Sequence, residues 1–207
     1  MEFEEWIEFY RQILIDFNFS KEEDERSAVV MHSIAREKLM DTLILEKKIG
    51  GKDVLIIGPI LSEDDAEEIR EFEGVKITAG KAINAVREFI PDFVPDIHVT
   101  DMEESDDLLV EIGERCILVL HAHGDNIDRV MSVIPKIGYF VGTTQSIPFD
   151  KIYNFGGFTD GDRAACMAKH FNANGIKLIG FDFERAEGLK KKKLVWAERI
   201  LKHEGVL

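Results

Sequence analysis

Short runs of β-branched residues alternate with helical patterns of apolar residues from residue 53 onward. Seven of these runs predict strands, at residues 53–57, 75–78, 97–100, 116–120, 138–141, 152–154 and 176–180. Helices are predicted to begin near Ser62, Gly80, Ser105, Asn126 and Asp160, and a last helix to cover residues 189–203. The alternation predicts an α/β fold with a Rossmann-like, mostly parallel sheet and helices on both faces. In such a sheet, ligands bind where the strands end at their carboxyl side.

The first 50 residues read as a helical N-terminal extension to the Rossmann-like domain of residues 51–207. Apolar side chains recur at helical spacing up to Phe17. Ser20 followed by Glu23 is a capping-box pattern, and it predicts a second helical stretch running to about Lys48. The apolar face of this extension would pack on the sheet domain or on a second subunit, which leaves a homo-oligomer open.

The charge of the chain restricts its partners. Its 207 residues include 26 Lys and Arg against 40 Asp and Glu, a formal net charge of -14. Such a surface repels nucleic acid, and a nucleotide site would have to supply its own positive charge or a metal. The sequence shows no secretory signal, no apolar stretch of membrane-spanning length and no paired cysteine motif, so a cytoplasmic location is expected.

Two carboxylates follow the predicted strand 97–100. Asp101 and Glu103 would point to the same side of an extended chain. Carboxylate oxygens suit Mg²⁺, which also takes phosphate oxygens and water. The competing interpretation is that they cap the next helix together with Glu104 and Ser105.

Polar residues are also concentrated after the predicted strand 116–120, in the segment HAHGDN at 121–126. A surface loop has no packing reason to collect two His, one Asp and one Asn, so this segment predicts a functional site. Alternatively, Asp125 or Asn126 only caps the next helix. HxHxD also resembles the metal motif of metallo-β-lactamase-type hydrolases. However, Asn126 replaces the further His of that motif, and His170 and His203 are poorly placed to complete it.

A glycine-containing segment, GGFTDGDRA at 156–164, lies between a predicted strand and a helix. Glycine lets a backbone approach phosphate closely, a helix N-terminus offers free N–H groups, and Arg163 could clamp phosphate. Asp160 and Asp162 would repel phosphate unless a metal or a helix cap engages them. The alternative is a plain glycine turn with an N-cap.

Two further features are weaker. Asp182, in GFDF at 180–183, could bind metal, ribose or a substrate amine. The lysines at 190–193 open the last helix and read mainly as a solvated face, although Lys at a helix start opposes the dipole and hints at a nearby anion.

Taken in order, VTDME (99–103), HAHGDN, GGFTDGDRA and GFDF resemble the archaeal 6-hydroxymethyl-7,8-dihydropterin pyrophosphokinases, relatives of thiamin pyrophosphokinase. The resemblance covers residues 53–205. It implies a Rossmann-like catalytic domain that transfers the β,γ-diphosphate of ATP to the pterin hydroxymethyl group with Mg²⁺, releasing AMP. The implied pathway is the biosynthesis of tetrahydromethanopterin or a folate-like pterin.

The resemblance also implies roles for single residues. Asp101, Glu103 and Asp125 would hold one or two Mg²⁺ ions, and Asn126 would orient the metal or the nucleotide. Phosphate oxygens would be bound near the N-terminus of the helix beginning at Asp160, by Gly156, Gly157, N–H groups at Thr159 and Arg163.

Two of these implied roles concern the pterin, which accepts the diphosphate. His121 or His123 would accept the hydroxymethyl proton or bind a transition-state oxygen, and the motif does not choose between them. Asp182 would contact the amino edge of the pterin.

Three positions depart from the family pattern. Glu103 stands where the family has Asp, Gly80-Lys81 replaces an Asp-Gly pair, and Ile60 replaces Ser. These changes leave open another acceptor such as thiamin, a metal-dependent phosphohydrolase, or a nucleotide-binding protein without turnover.

Overall fold

The predicted strands pair side by side in one sheet of seven strands. In the computed structural model, which describes residues 1–207, the strands are β1 (Asp53–Ile57), β2 (Val75–Ala79), β3 (Ile97–Thr100), β4 (Ile117–Ala122), β5 (Val141–Thr144), β6 (Ile152–Tyr153) and β7 (Gly175–Ile179). Their order is β6-β5-β4-β3-β2-β1-β7, and every neighbouring pair is parallel. The predicted α/β class is confirmed.

One strand was predicted three residues too early. The run 138–141 reads as apolar, but β5 begins at Val141 and includes two threonines. The Thr143 hydroxyl is satisfied inside the sheet, because its Oγ1 donates to the Leu120 carbonyl and lies 3.0 Å from His121 Nδ1. The two threonines therefore form the buried end of a strand.

Nine α-helices surround the sheet. They are α1 (Phe3–Phe17), α2 (Lys21–Ala35), α3 (Leu43–Ile49), α4 (Glu63–Glu71), α5 (Ala82–Phe89), α6 (Asp106–Gly113), α7 (Ile127–Val133), α8 (Asp160–His170) and α9 (Gly188–His203). Helices α2, α5, α6 and α7 share one apolar cluster on one face, and α3 and α8 share a second with strands β1, β2 and β3. Both faces of the sheet are therefore covered, as continuous apolar strands require.

The path of the chain brings α8 across the middle of the sheet. Strands β1 to β6 step in one direction, and α8 then carries the chain back to β7 beside β1. This helix contacts β1, β2 and β3. Its Ala164, Ala165 and Ala168 are buried and small, so the helix lies close to the sheet. The N-terminus of α8 consequently lies beside the residues that follow these strands.

The N-terminal helices pack on this domain. Trp6, Tyr10 and Ile13 of α1 share an apolar cluster with Trp196 and other residues of α8 and α9. The predicted single helix from Ser20 to Lys48 is wrong, because it is broken between α2 and α3. Leu39 forms a β-bridge with Phe140 there, which pulls the chain out of helical geometry. None of the helices is both long and apolar enough for a membrane crossing.

Candidate functional site

A cavity of about 470 Å³ lies at the carboxyl edge of the sheet. Residues that follow β1, β2, β3, β4 and β7 form part of its wall, and the starts of α8 and α9 close it. Eight residues predicted from the motifs lie in the wall: Asp101, Glu103, His123, Asp125, Thr159, Asp160, Arg163 and Asp182. The strand order thus brings together side chains from distant motifs.

The wall contains two carboxylates, those of Asp101 and Asp160, whose charges influence each other. Burial, reinforced by the charge of Asp101, raises the pKa of Asp160 well above its ordinary value, with Arg163 opposing the rise. Burial would also raise the pKa of Asp101, but His123, Arg163 and Lys193 together lower it. His123 Nε2 lies 3.5 Å from Asp101 Oδ2, and Arg163 Nη1 lies 2.9 Å from Asp160 Oδ1. The pair concentrates negative charge that a bound cation would stabilise.

The predicted metal ligands Asp101, Glu103 and Asp125 do not assemble, and no group of three or more His, Cys, Asp or Glu side chains is placed to hold a metal. Glu103 is exposed and pairs with Lys81 at 2.6 Å. Mg²⁺ commonly takes only one or two carboxylates and fills its shell with phosphate oxygens and water. Asp101 and Asp160 both line the cavity, so each could supply one carboxylate to such an ion.

The two histidines of HAHGDN have different environments. His121 is buried and outside the cavity wall, and its Nε2 has no hydrogen-bond partner. Burial, followed by the charge of Arg163, lowers the pKa of His121 well below its ordinary value, so the ring is neutral at neutral pH. His123 lies in the wall. The ambiguity between them therefore resolves toward His123 as the histidine available to a ligand.

Asn126 has a structural role that its motif did not reveal. Its Nδ2 donates to the Asp101 carbonyl at 3.0 Å and to the His121 carbonyl at 2.7 Å, while its Oδ1 accepts from His123 N at 3.0 Å. The prediction that this amide orients a metal or nucleotide is corrected, because its hydrogen-bonding groups are already used inside the protein. It ties the ends of β3 and β4 together.

The glycines after β6 also differ from their prediction. Gly156 and Gly157 have φ of 82° and 90° and lie outside the cavity wall. A Cβ at Gly157 would meet Arg163 Cα at 2.3 Å, and one at Gly156 would meet Met1 Sδ at 3.2 Å. A side chain at either position would therefore meet neighbouring protein atoms. These glycines shape the turn into α8.

The N-terminus of α8 is capped from within. Asp162 accepts hydrogen bonds from Phe158 N at 2.6 Å and Thr159 N at 2.8 Å. The Arg163 guanidinium also donates to the Phe158 carbonyl at 3.1 Å. The helix start is thus rigid, and part of the guanidinium that was predicted to clamp phosphate already serves to hold it.

Asp182 caps its own turn. Its Oδ1 accepts from Glu184 N at 2.9 Å and Arg185 N at 3.0 Å, and these bonds lower its pKa. The carboxylate borders the cavity but is engaged locally, which weakens its predicted contact with a substrate amine.

Sequence reasoning missed several wall residues. Lys190 and Lys193 border the cavity, so the basic run at 190–193 is more than a solvated face. The ammonium of Lys193 lies 6.0 Å from the centroid of the Phe158 ring. Phe181 and Phe183 also line the cavity, and their rings stack with centroids 6.1 Å apart. The only sequence signal was the occurrence of lysines at a helix start, where they oppose the dipole.

The fold and the cavity define an α/β protein with a candidate ligand site at the carboxyl edge of a parallel sheet. Residues 17–188 match the family model described as "6-hydroxymethylpterin diphosphokinase MptE-like", and the chain belongs to this family. The resemblance inferred from the four motifs is confirmed.

Three curated relatives carry the name 6-hydroxymethyl-7,8-dihydropterin pyrophosphokinase. The protein of Pyrococcus furiosus is 37% identical over 91% of this chain and 81% of its own length. That of Methanocaldococcus jannaschii is 35% identical over 88% and 80%. That of Methanothermobacter thermautotrophicus is 32% identical over 97% and 94%.

Proposed function

We propose that this protein is a 6-hydroxymethyl-7,8-dihydropterin diphosphokinase that transfers the β,γ-diphosphate of ATP to the pterin hydroxymethyl group and releases AMP. The family and the names of the relatives support this activity. The structural observation that carries it is a single cavity whose wall joins Asp101 and Asp160 to Arg163 and Lys193. Phosphoryl-type transfer depends on such positioning and charge neutralisation more than on covalent chemistry.

The carboxylate pair suits Mg²⁺. Asp101 and Asp160 would hold it, and Mg²⁺ would neutralise phosphate charge when bound. Until a cation binds, Arg163 pairs with Asp160 at 2.9 Å, and the charges of Arg163 and Lys193 stabilise the Asp101 carboxylate. Glu103 and Asp125 take no part in this proposal as metal ligands.

The positive side chains of the wall would bind the phosphates. Arg163 approaches from α8, Lys190 and Lys193 from α9, and Lys81 from the end of β2. A chain with net charge -14 needs such local cations to attract a polyanion. Phe181 and Phe183 would stack on an aromatic ring of a substrate.

His123 is the proposed proton acceptor. Its ring lies in the wall, with Nε2 next to the Asp101 carboxylate and Nδ1 accepting from Asp125 N at 3.3 Å. Nδ1 is therefore the nitrogen that would take the hydroxyl proton, in place of this long backbone contact. A carboxylate beside the ring orients it and stabilises the imidazolium that forms when a hydroxyl loses its proton. His121 stays neutral behind it, with ring centroids 5.9 Å apart.

An AMP-release assay tests the proposal. The protein is incubated with ATP and Mg²⁺, with and without 6-hydroxymethyl-7,8-dihydropterin, and AMP and pterin diphosphate are quantified. We expect both products only when the pterin is present. If AMP formed with thiamin but not with the pterin, thiamin would be the acceptor instead. AMP formed without any acceptor would indicate a hydrolase, and no AMP under any condition would contradict catalysis.

Replacing Lys193 with Ala is expected to raise the KM for ATP at least about tenfold, because a charge-assisted phosphate contact of this kind contributes roughly 1.5–3 kcal/mol. Steady-state kinetics at saturating pterin would measure the change. Lys202→Ala is the matched control, since Lys202 lies on the same helix and pairs with Glu198 outside the cavity. Equal KM values for the two variants would remove Lys193 from the phosphate site.

A further inference from the structure

A buried carboxylate that lies outside the cavity wall joins the N-terminal helices to that wall through hydrogen bonds. Asp24 of α2 is 2% exposed. Its Oδ1 accepts from Gly124 N at 2.7 Å. Its Oδ2 accepts from Gln145 Nε2 at 2.8 Å and from the Tyr10 hydroxyl at 2.7 Å. One side chain thus holds α1, the turn after β4 and the residue after β5.

Two of these three partners belong to the site. Gly124 lies between His123 and Asp125, which both line the cavity, and Gln145 lines it as well. A polar side pocket of about 160 Å³ shares His123, Asp125 and Gln145 with the cavity and is closed on its far side by the turn between α1 and α2. The N-terminal extension therefore forms part of the walls around the proposed proton acceptor.

A buried carboxylate is costly unless hydrogen bonds satisfy its charge. All three observed donors to Asp24 are neutral groups. Such charge-assisted bonds are short and directional, so they fix the position of their donors more firmly than neutral contacts would. The arrangement restrains the peptide that carries His123, whereas an apolar side chain would fill the same space without restraining it.

We propose that Asp24 is a positioning residue: by holding Gly124 N and the Gln145 amide, it fixes the HAHGD turn so that His123 faces the reacting groups. The inference rests on the proposed function and extends its site to a helix outside the sheet domain. Because Asp24 acts through His123 and Gln145, it should affect turnover more than the binding of ATP phosphates at α8 and α9.

Asp24→Ala, Asp24→Asn and Tyr10→Phe separate this role from general stabilisation. We expect kcat to fall at least about tenfold in Asp24→Ala, since small displacements of a reacting group are costly, while the KM for ATP stays within about threefold. Asp24→Asn keeps an acceptor for Gly124 N but places an N–H₂ donor where Oδ2 accepts from the Gln145 amide, so its kcat should lie between those of Asp24→Ala and the wild type. Tyr10→Phe removes only the bond to α1 and should keep kcat within about twofold, whatever its thermal stability.

If Asp24→Ala does not fold, Asp24→Asn decides, and a kcat equal to that of the wild type would overturn the proposal. For a folded Asp24→Ala, unchanged kcat or a loss matched by Tyr10→Phe would do the same. Amide hydrogen exchange of a peptide covering 121–126 gives a readout that needs no turnover. Faster exchange in Asp24→Ala than in Tyr10→Phe supports positioning, and equal exchange overturns it. A wild-type protein without AMP release contradicts the proposed function instead, and the exchange result still decides the positioning.

Discussion

Replacing Asp101 with Asn is expected to lower turnover by about one hundredfold or more, with the fold retained. The substitution keeps the shape of the side chain and removes its charge, which lies in the same cavity wall as Asp160 and 3.5 Å from His123 Nε2. Loss of one preorganised electrostatic group in a cavity of this kind costs on the order of 10²–10³ in rate. The measurement is kcat for AMP release at saturating ATP, pterin and Mg²⁺, with circular dichroism to check the fold.

Glu103→Gln is the matched control for Asp101→Asn. It removes one carboxylate charge from the same loop, but Glu103 is exposed and its partner is Lys81. We expect kcat within about threefold of the wild type, because an exposed ion pair contributes little. If Glu103→Gln were as damaging as Asp101→Asn, the result would support Glu103 as a metal ligand, as the sequence predicted. Near-normal turnover of Asp101→Asn would remove the carboxylate pair from the mechanism.

Much of the fold could be predicted from the sequence, because strands buried on both faces are short apolar runs between helical patterns. The strands 53–57 and 97–100 were predicted with their observed bounds. The errors occur where a tertiary contact overrides the local pattern. The β-bridge between Leu39 and Phe140 breaks a predicted helix, and sheet hydrogen bonds satisfy the hydroxyls of Thr143.

The sequence predicts which motifs line the site, but not which of their side chains lie together. Strand ends meet at one edge of a parallel sheet, so the placement of Asp101 and His123 in one wall followed from the fold class. That Asp160 shares this wall with Asp101 depends on α8 crossing from β6 to β7, and that path has no local signal. The contact of Lys193 with the cavity likewise depends on how α9 packs.

The second large effect is expected for Gly157→Ala, which should destabilise the protein by about 3 kcal/mol or more. Gly157 has φ of 90°, and a Cβ there would lie 2.3 Å from the backbone Cα of Arg163. Backbone cannot move aside as a flexible side chain can, so the turn into α8 must shift. Arg163 and the capped N-terminus of α8 would move with it, and turnover should fall together with stability.

Gly51→Ala separates backbone strain from this clash. Gly51 has φ of 68°, but a Cβ there meets no atom within 4 Å. The strain of a left-handed alanine alone costs about 1–2 kcal/mol, and the Gly51→Ala variant should keep the turnover of the wild type. Urea unfolding of both variants gives the two free energies of unfolding. If Gly157→Ala cost no more than Gly51→Ala, the turn before α8 would be free to adjust. The restraint of Arg163 against the cavity would then have to come from the Asp162 cap alone.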